Sequence, residues 1–172
     1  MSQQAFFDTP PPVADPPTPS DQAYREAMSK AGAILARRAH STKELKDKLD
    51  GLHPDVAGRV LDRLSALGLL DDAAFAEEWV ESNQDRKGLE ALRAGLATRG
   101  VDVDIADRVL ERAAAGEQER ANLIASRYLP RVIERPLPAQ AAALLRTLMG
   151  RGFSLEVAEE AVRSALPPEG WD

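Results

Sequence analysis

Apolar residues in this chain recur at intervals of three and four, the spacing that lines one face of a helix, and the pattern itself repeats. Leu92, Leu96, Arg99, Gly100, Val101, Ile105, Ala106, Val109 and Leu110 superpose on Leu144, Leu148, Arg151, Gly152, Phe153, Val157, Ala158, Ala161 and Val162 under one shift of 52 positions. An earlier copy runs Leu45, Leu49, Val56, Ala57, Val60 and Leu61, with its turn two residues shorter. Each copy supplies a Leu-x-x-x-Leu ridge, a turn, and a second apolar stripe at i, i+1, i+4, i+5, which is a helix pair. Units this short cannot bury their apolar faces alone, so they stack, and about three are needed for a stable array. Arrays of this kind suit elongated partners.

Start and stop signals divide the chain. Residues 1–19 carry Pro10, Pro11, Pro12, Pro16, Pro17 and Pro19, and a stretch so poor in backbone donors and apolar bulk reads as a disordered tail. A first repeat is expected over 20–70. Ser20 is a candidate N-cap for a helix reaching about Ala39, and Ser41-Thr42-Lys43-Glu44 is a capping-box sequence for the helix of Leu45 and Leu49. Pro54 suits the first turn of a third helix, and Gly68 suits the left-handed position after its end. A second repeat is expected over 71–116, capped by Asp71 or Asp72 and again by Asp102, with Phe75, Trp79 and Val80 on a buried stripe. A third, over 117–172 with a short C-terminal tail, carries Leu123, Ile124, Tyr128 and Leu129 before Pro130 breaks its first helix. No stretch alternates long enough to make a strand. The fold class is therefore all-α, an elongated tandem array of three three-helix repeats.

Composition narrows the function classes. The chain of 172 residues has no cysteine, which excludes disulfides and thiolate metal sites. His40 and His53 lack a second ligand at useful spacing, so no metal and no cofactor is expected. No apolar run approaches the roughly 20 residues needed to cross a bilayer, and a cytoplasmic monomer with no membrane contact is expected. Neither a Gly-rich phosphate cradle nor a Gly-x-Ser-x-Gly elbow is present, so an enzyme is not expected. A formal charge of -6 argues for weak or no independent DNA binding, since neutralising phosphates needs clustered cations.

Several strings resemble the RecX family of recombination regulators. They are Leu35-Ala36-Arg37-Arg38-Ala39-His40-Ser41 with Glu44-Leu45 and Lys48-Leu49; Gly68-Leu69-Leu70-Asp71-Asp72 with Phe75-Ala76 and Trp79-Val80; and Lys87-Gly88, Leu92, Leu96 and Arg99-Gly100-Val101. The resemblance runs from about Ala27 to Leu166. It implies a modulator, usually an inhibitor, of the RecA recombinase in the SOS response and DNA repair. Such a protein would lie in the groove of the filament on single-stranded DNA and dampen its ATPase, strand-exchange and co-protease activities. A direct nucleic-acid-binding protein, or a helical scaffold for another partner, are the alternatives.

Candidate contact residues fall in three groups. Arg37, Arg38, Lys43 and Lys46 belong to a stretch, 31–70, with seven basic and five acidic residues. They could meet phosphates or an acidic protein surface, or form a solvated face laced with Asp47, Asp50 and Asp62. Glu81 and Asp85 would repel each other at i, i+4 near a helix C-terminus, a small cost that points toward a basic partner. Arg127, Arg131 and Arg135, with Arg120 one heptad earlier, would share a face if their helix ran past Pro130. Tyr24 and Tyr128 could stack on bases, although both also fit apolar packing positions.

Overall fold

The computed structural model describes residues 19–167. The proline-rich segment before Pro19 and residues 168–172, and with them the expected disordered tail, lie outside the described residues. Among the described residues the α-helices are α1 (Pro19–Leu35), α2 (Thr42–Lys48), α3 (Pro54–Ala66), α4 (Asp72–Asn83), α5 (Leu89–Thr98), α6 (Val103–Ala114), α7 (Glu117–Tyr128), α8 (Leu137–Met149) and α9 (Leu155–Ala165), and none is a strand.

The core falls into three clusters, each drawn from three consecutive helices. Leu45, Leu49, Val60 and Leu64 anchor the first, with Ala27 and Ala31 of α1. Phe75, Leu92, Leu96 and Leu110 anchor the second, and Ile124, Leu144, Leu148, Phe153 and Val162 the third. Burial follows the repeat. The ridge leucines Leu92, Leu96, Leu144 and Leu148 are all fully buried, while Ile105 and its counterpart Val157 both pack at the edge. Removing such a side chain from water contributes roughly 1.5–3 kcal/mol, which is why the ridge is kept apolar in every copy. The shorter turn of the first copy has a local cause: α2 stops at Lys48, so Gly51 takes the left-handed turn only two residues after Leu49, whereas Gly100 and Gly152 stand four after Leu96 and Leu148. The buried face of α3 is also rotated, with Val56, Val60 and Leu64 inside and Ala57 and Leu61 half-buried.

Most end signals act as expected. The Asp71 carboxylate accepts from the amides of Ala73 and Ala74, Asp102 accepts from Asp104, and Gly68 closes α3 with its own amide bonded to Ser65 and that of Leu69 bonded to Leu64. Three expectations need correction. α1 begins at Pro19, whose fixed φ suits a first turn, so Ser20 lies inside the helix; it ends at Leu35, and residues 36–41 form the connection to α2. Leu123 is 55% exposed because Ala121, Ile124 and Ala125 take the inner face of α7. Trp79 is half-buried at the edge of the second core, while Phe75, Ala76 and Val80 fill it. As expected, Pro130 breaks the first helix of the third unit: α7 ends at Tyr128, and Leu129–Arg131 tighten into a single 3-10 turn.

Candidate partner-binding surface

What joins the three units is a motif made twice with the same geometry. The amide of Thr42, first residue of α2, donates to the carboxylate of Asp72, first residue of α4, at 2.7 Å. The amide of Leu89, first residue of α5, donates to the carboxylate of Glu117, first residue of α7, at 2.8 Å. In each case the N-cap just before also reaches across. The Ser41 hydroxyl donates to the Arg99 carbonyl at 2.6 Å, and the Gly88 amide donates to the Arg151 carbonyl at 2.9 Å. Arg99 and Arg151 are counterparts under the repeat shift, and each precedes a glycine at positive φ, 71° for Gly100 and 81° for Gly152. The open N-terminus of one unit's second helix thus docks on the next unit, using a carboxylate that answers its orphan amides and its dipole. In the last unit the equivalent N-cap is Pro136, which has no amide hydrogen to donate, as suits a terminal repeat.

The first of these junctions organises the cations of the first unit. The Ser41 hydroxyl accepts from the Glu44 amide at 3.1 Å, but the Glu44 carboxylate does not complete a capping box. It pairs instead with Arg38 at 2.9 Å and with Arg99 at 3.5 Å, so it ties the two units together. Arg38 also donates to the Ala39 carbonyl, and Ala39 packs against the second core. Lys43 pairs with Asp47 and lies over Gly100, whereas Arg37 and Lys46 are exposed with no ion pair among the described residues. Beside this junction Trp79 is held between two cations, the Arg99 guanidinium 4.6 Å and the Lys87 ammonium 4.9 Å from the ring centre. Its ring lies directly over Gly95, where a Cβ would sit 2.2 Å from it.

Glu81 and Asp85 are separated by the end of α4. The helix closes at Asn83 with Gln84 as its C-cap, so Asp85 lies in the turn beyond it. Glu81 lies with Glu77 and Arg112 beside an apolar floor of Val80, Val109 and Ala113, and Glu77 and Arg112 bridge at 2.7 Å. Asp85 faces a different cleft, of about 200 Å³, at the junction of the second and third units. Arg127 and Arg131 both line that cleft, although Pro130 interrupts their helix. Arg86 and Arg151, neither of them among the expected contact residues, line it too. Arg120 turns away to donate to the Ala113 carbonyl, and Arg135 sits in the turn that the buried Gln140 side chain ties to α8. Tyr128 carries Arg131 over its ring at 5.5 Å, and Tyr24 carries Arg59 at 4.7 Å.

Residues 27–64 match the family model described as RecX, first three-helix domain, and residues 71–110 the one described as RecX, second three-helix domain. Regulatory protein RecX of Mycobacterium avium (strain 104) is 37% identical over 169 residues, covering 93% of this chain and 94% of that one. The chain belongs to the RecX family. Regulatory protein RecX of Mycobacterium ulcerans (strain Agy99) is 36% identical, covering 91% of this chain and 95% of its own. The crystal structure of RecX from Lactobacillus salivarius shares the fold, with a TM-score of 0.76 over 84% of this chain and 97% of that one at 21% identity. The two matched RecX domains coincide with the first two core clusters, and the helical array is the architecture of the family. Among the described residues no helix is long and apolar enough to cross a membrane.

Proposed function

We propose that this chain is a cytoplasmic, monomeric regulator that binds the RecA-type recombinase filament on single-stranded DNA and lowers its ATPase, strand-exchange and co-protease output. Near full-length likeness to proteins named as regulatory RecX is the observation that carries the reading. The geometry supports it through the two inter-unit docking motifs. They link the three helical core clusters in series, which supports one body lying across neighbouring recombinase protomers and competing with a second DNA strand. Arg37, Arg38, Lys43 and Lys46 on the first unit, Glu81 on the second, and Asp85, Arg127 and Arg131 at the second junction are the proposed contacts. Spreading contacts over three rigidly joined units raises affinity without any single strong site, because later units bind intramolecularly.

Co-sedimentation tests this reading. The protein should pellet with recombinase-coated single strands at concentrations where naked strands of the same length carry down much less of it. Failure to pellet with the coated strands would assign the array to another partner, and equal pelleting with both would assign it to DNA alone.

A further inference from the structure

The geometry points to a phosphate-binding site for single-stranded nucleic acid in the cleft between the second and third units. Arg86, Arg127, Arg131 and Arg151 all line it, against the single carboxylate of Asp85. That is a local excess of three positive charges in a chain whose formal charge is -6. Arg38, Arg59, Arg93, Arg99, Arg112 and Arg163 are each paired with a carboxylate, while others such as Arg37 are exposed without one among the described residues. Here no ion pair forms among the described residues, and the side chains of Arg127, Arg131 and Arg151 make no hydrogen bond.

Three guanidinium groups with five N–H donors each therefore face one small cleft unused. Two features pre-organise them. Arg131 is stacked on Tyr128, which limits its rotamers, and the Arg151 backbone is fixed by its carbonyl bond from Gly88. The donor geometry suits phosphate, since planar forks bind it in bidentate fashion. The half-buried Tyr128 ring and Ile124 add an apolar wall on which a sugar or base can rest. A carboxylate, with only two oxygens, would leave most of these donors idle, whereas a strand offers an ionised phosphate at every nucleotide.

This site goes beyond filament binding and does not rest on it, so its test needs no recombinase. Fluorescence anisotropy with a labelled oligothymidylate of about 20 nucleotides would be read as a function of salt on the full chain. Single-strand binding weakens with a log–log slope of about -0.7 per phosphate neutralised. An excess charge of three predicts a loss of about twentyfold between 50 and 200 mM salt. The double variant Arg127→Gln/Arg131→Gln should lose only about threefold over the same range and bind more weakly throughout. A control, Arg25→Gln/Lys30→Gln, removes two exposed cations of α1 that lie outside every proposed contact and should match the unaltered protein, with circular dichroism confirming that all three proteins are folded. If the control flattens the salt response as much as the cleft variant, or neither changes it, the site is wrong. If a polyglutamate peptide displaces the oligonucleotide at equal charge concentration, the cleft is an acidic-peptide site and the proposal fails.

Discussion

The amide of Leu89 donates to the carboxylate of Glu117 at 2.8 Å, joining the start of α5 to the start of α7 in the next unit. Glu117 is only 8% exposed, so this acceptor has little water to replace it. Thr42 and Asp72 repeat the arrangement at the other junction, at 2.7 Å.

Glu117→Ala should therefore lower stability by about 2 kcal/mol, the cost of leaving a sheltered donor without its charged acceptor. For a chain of this size that is roughly a 4–8 °C fall in Tm. Glu117→Gln keeps an acceptor and gives up only the interaction with the helix dipole, roughly 0.3–1 kcal/mol. Thermal melts of the two variants side by side check the order; equal Tm values for Glu117→Ala and the unaltered protein would show that the bond contributes nothing.

Glycine substitutions separate turn strain from docking. Gly51 has φ +91°, and a Cβ there would meet nothing within 4 Å, so Gly51→Ala should cost only the left-handed strain of about 1–2 kcal/mol. Gly152 has φ +81°, and its Cβ would lie 2.3 Å from Ala91 Cβ, so Gly152→Ala adds a steric clash worth roughly 1–3 kcal/mol more. Hydrogen exchange should show the third unit opening more readily in Gly152→Ala than in Gly51→Ala. Equal protection of α7 to α9 in both variants would argue against tight docking.

Much of this fold was legible in the sequence, because burial in the second and third units follows one nine-residue pattern, and caps such as Asp71 and Asp102 act through near neighbours. What the sequence did not display was side-chain purpose between units. Glu44 satisfies the capping-box spacing, yet Arg38 and Arg99 draw its carboxylate away. Asp72 could be read as a first-turn acid, but only the fold brings the Thr42 amide to it across 30 positions. Arg127 and Arg131 would share a face on an unbroken helix; Pro130 breaks it, and they meet all the same in the cleft at the second junction. Arg86 and Arg151 were missed because their meeting depends on the second junction. The signal that could have found Arg151 was its pairing with Arg99 in the repeat.

Trp79 illustrates the same limit energetically. Its spacing from Phe75 suggests a core pair, but the ring is half-buried and flanked by Arg99 and Lys87. Trp79→Ala should cost about 2–3 kcal/mol in all, its two cation–π contacts of about 0.5–1 kcal/mol each included, below the roughly 3–5 typical of a fully enclosed aromatic. The variant should retain its far-ultraviolet helix signal at 25 °C while melting at a lower temperature. Collapse of helicity at that temperature would place Trp79 in the core after all.

The central claim, that the array restrains a recombinase filament, is tested most directly by titrating the protein onto recombinase assembled on single-stranded DNA. ATP hydrolysis and filament length would be measured on the same samples. The account predicts that both fall together, and that Gly152→Ala, which loosens the second junction, needs a higher concentration to achieve the same effect. Unchanged hydrolysis and unchanged length at saturating protein would contradict it.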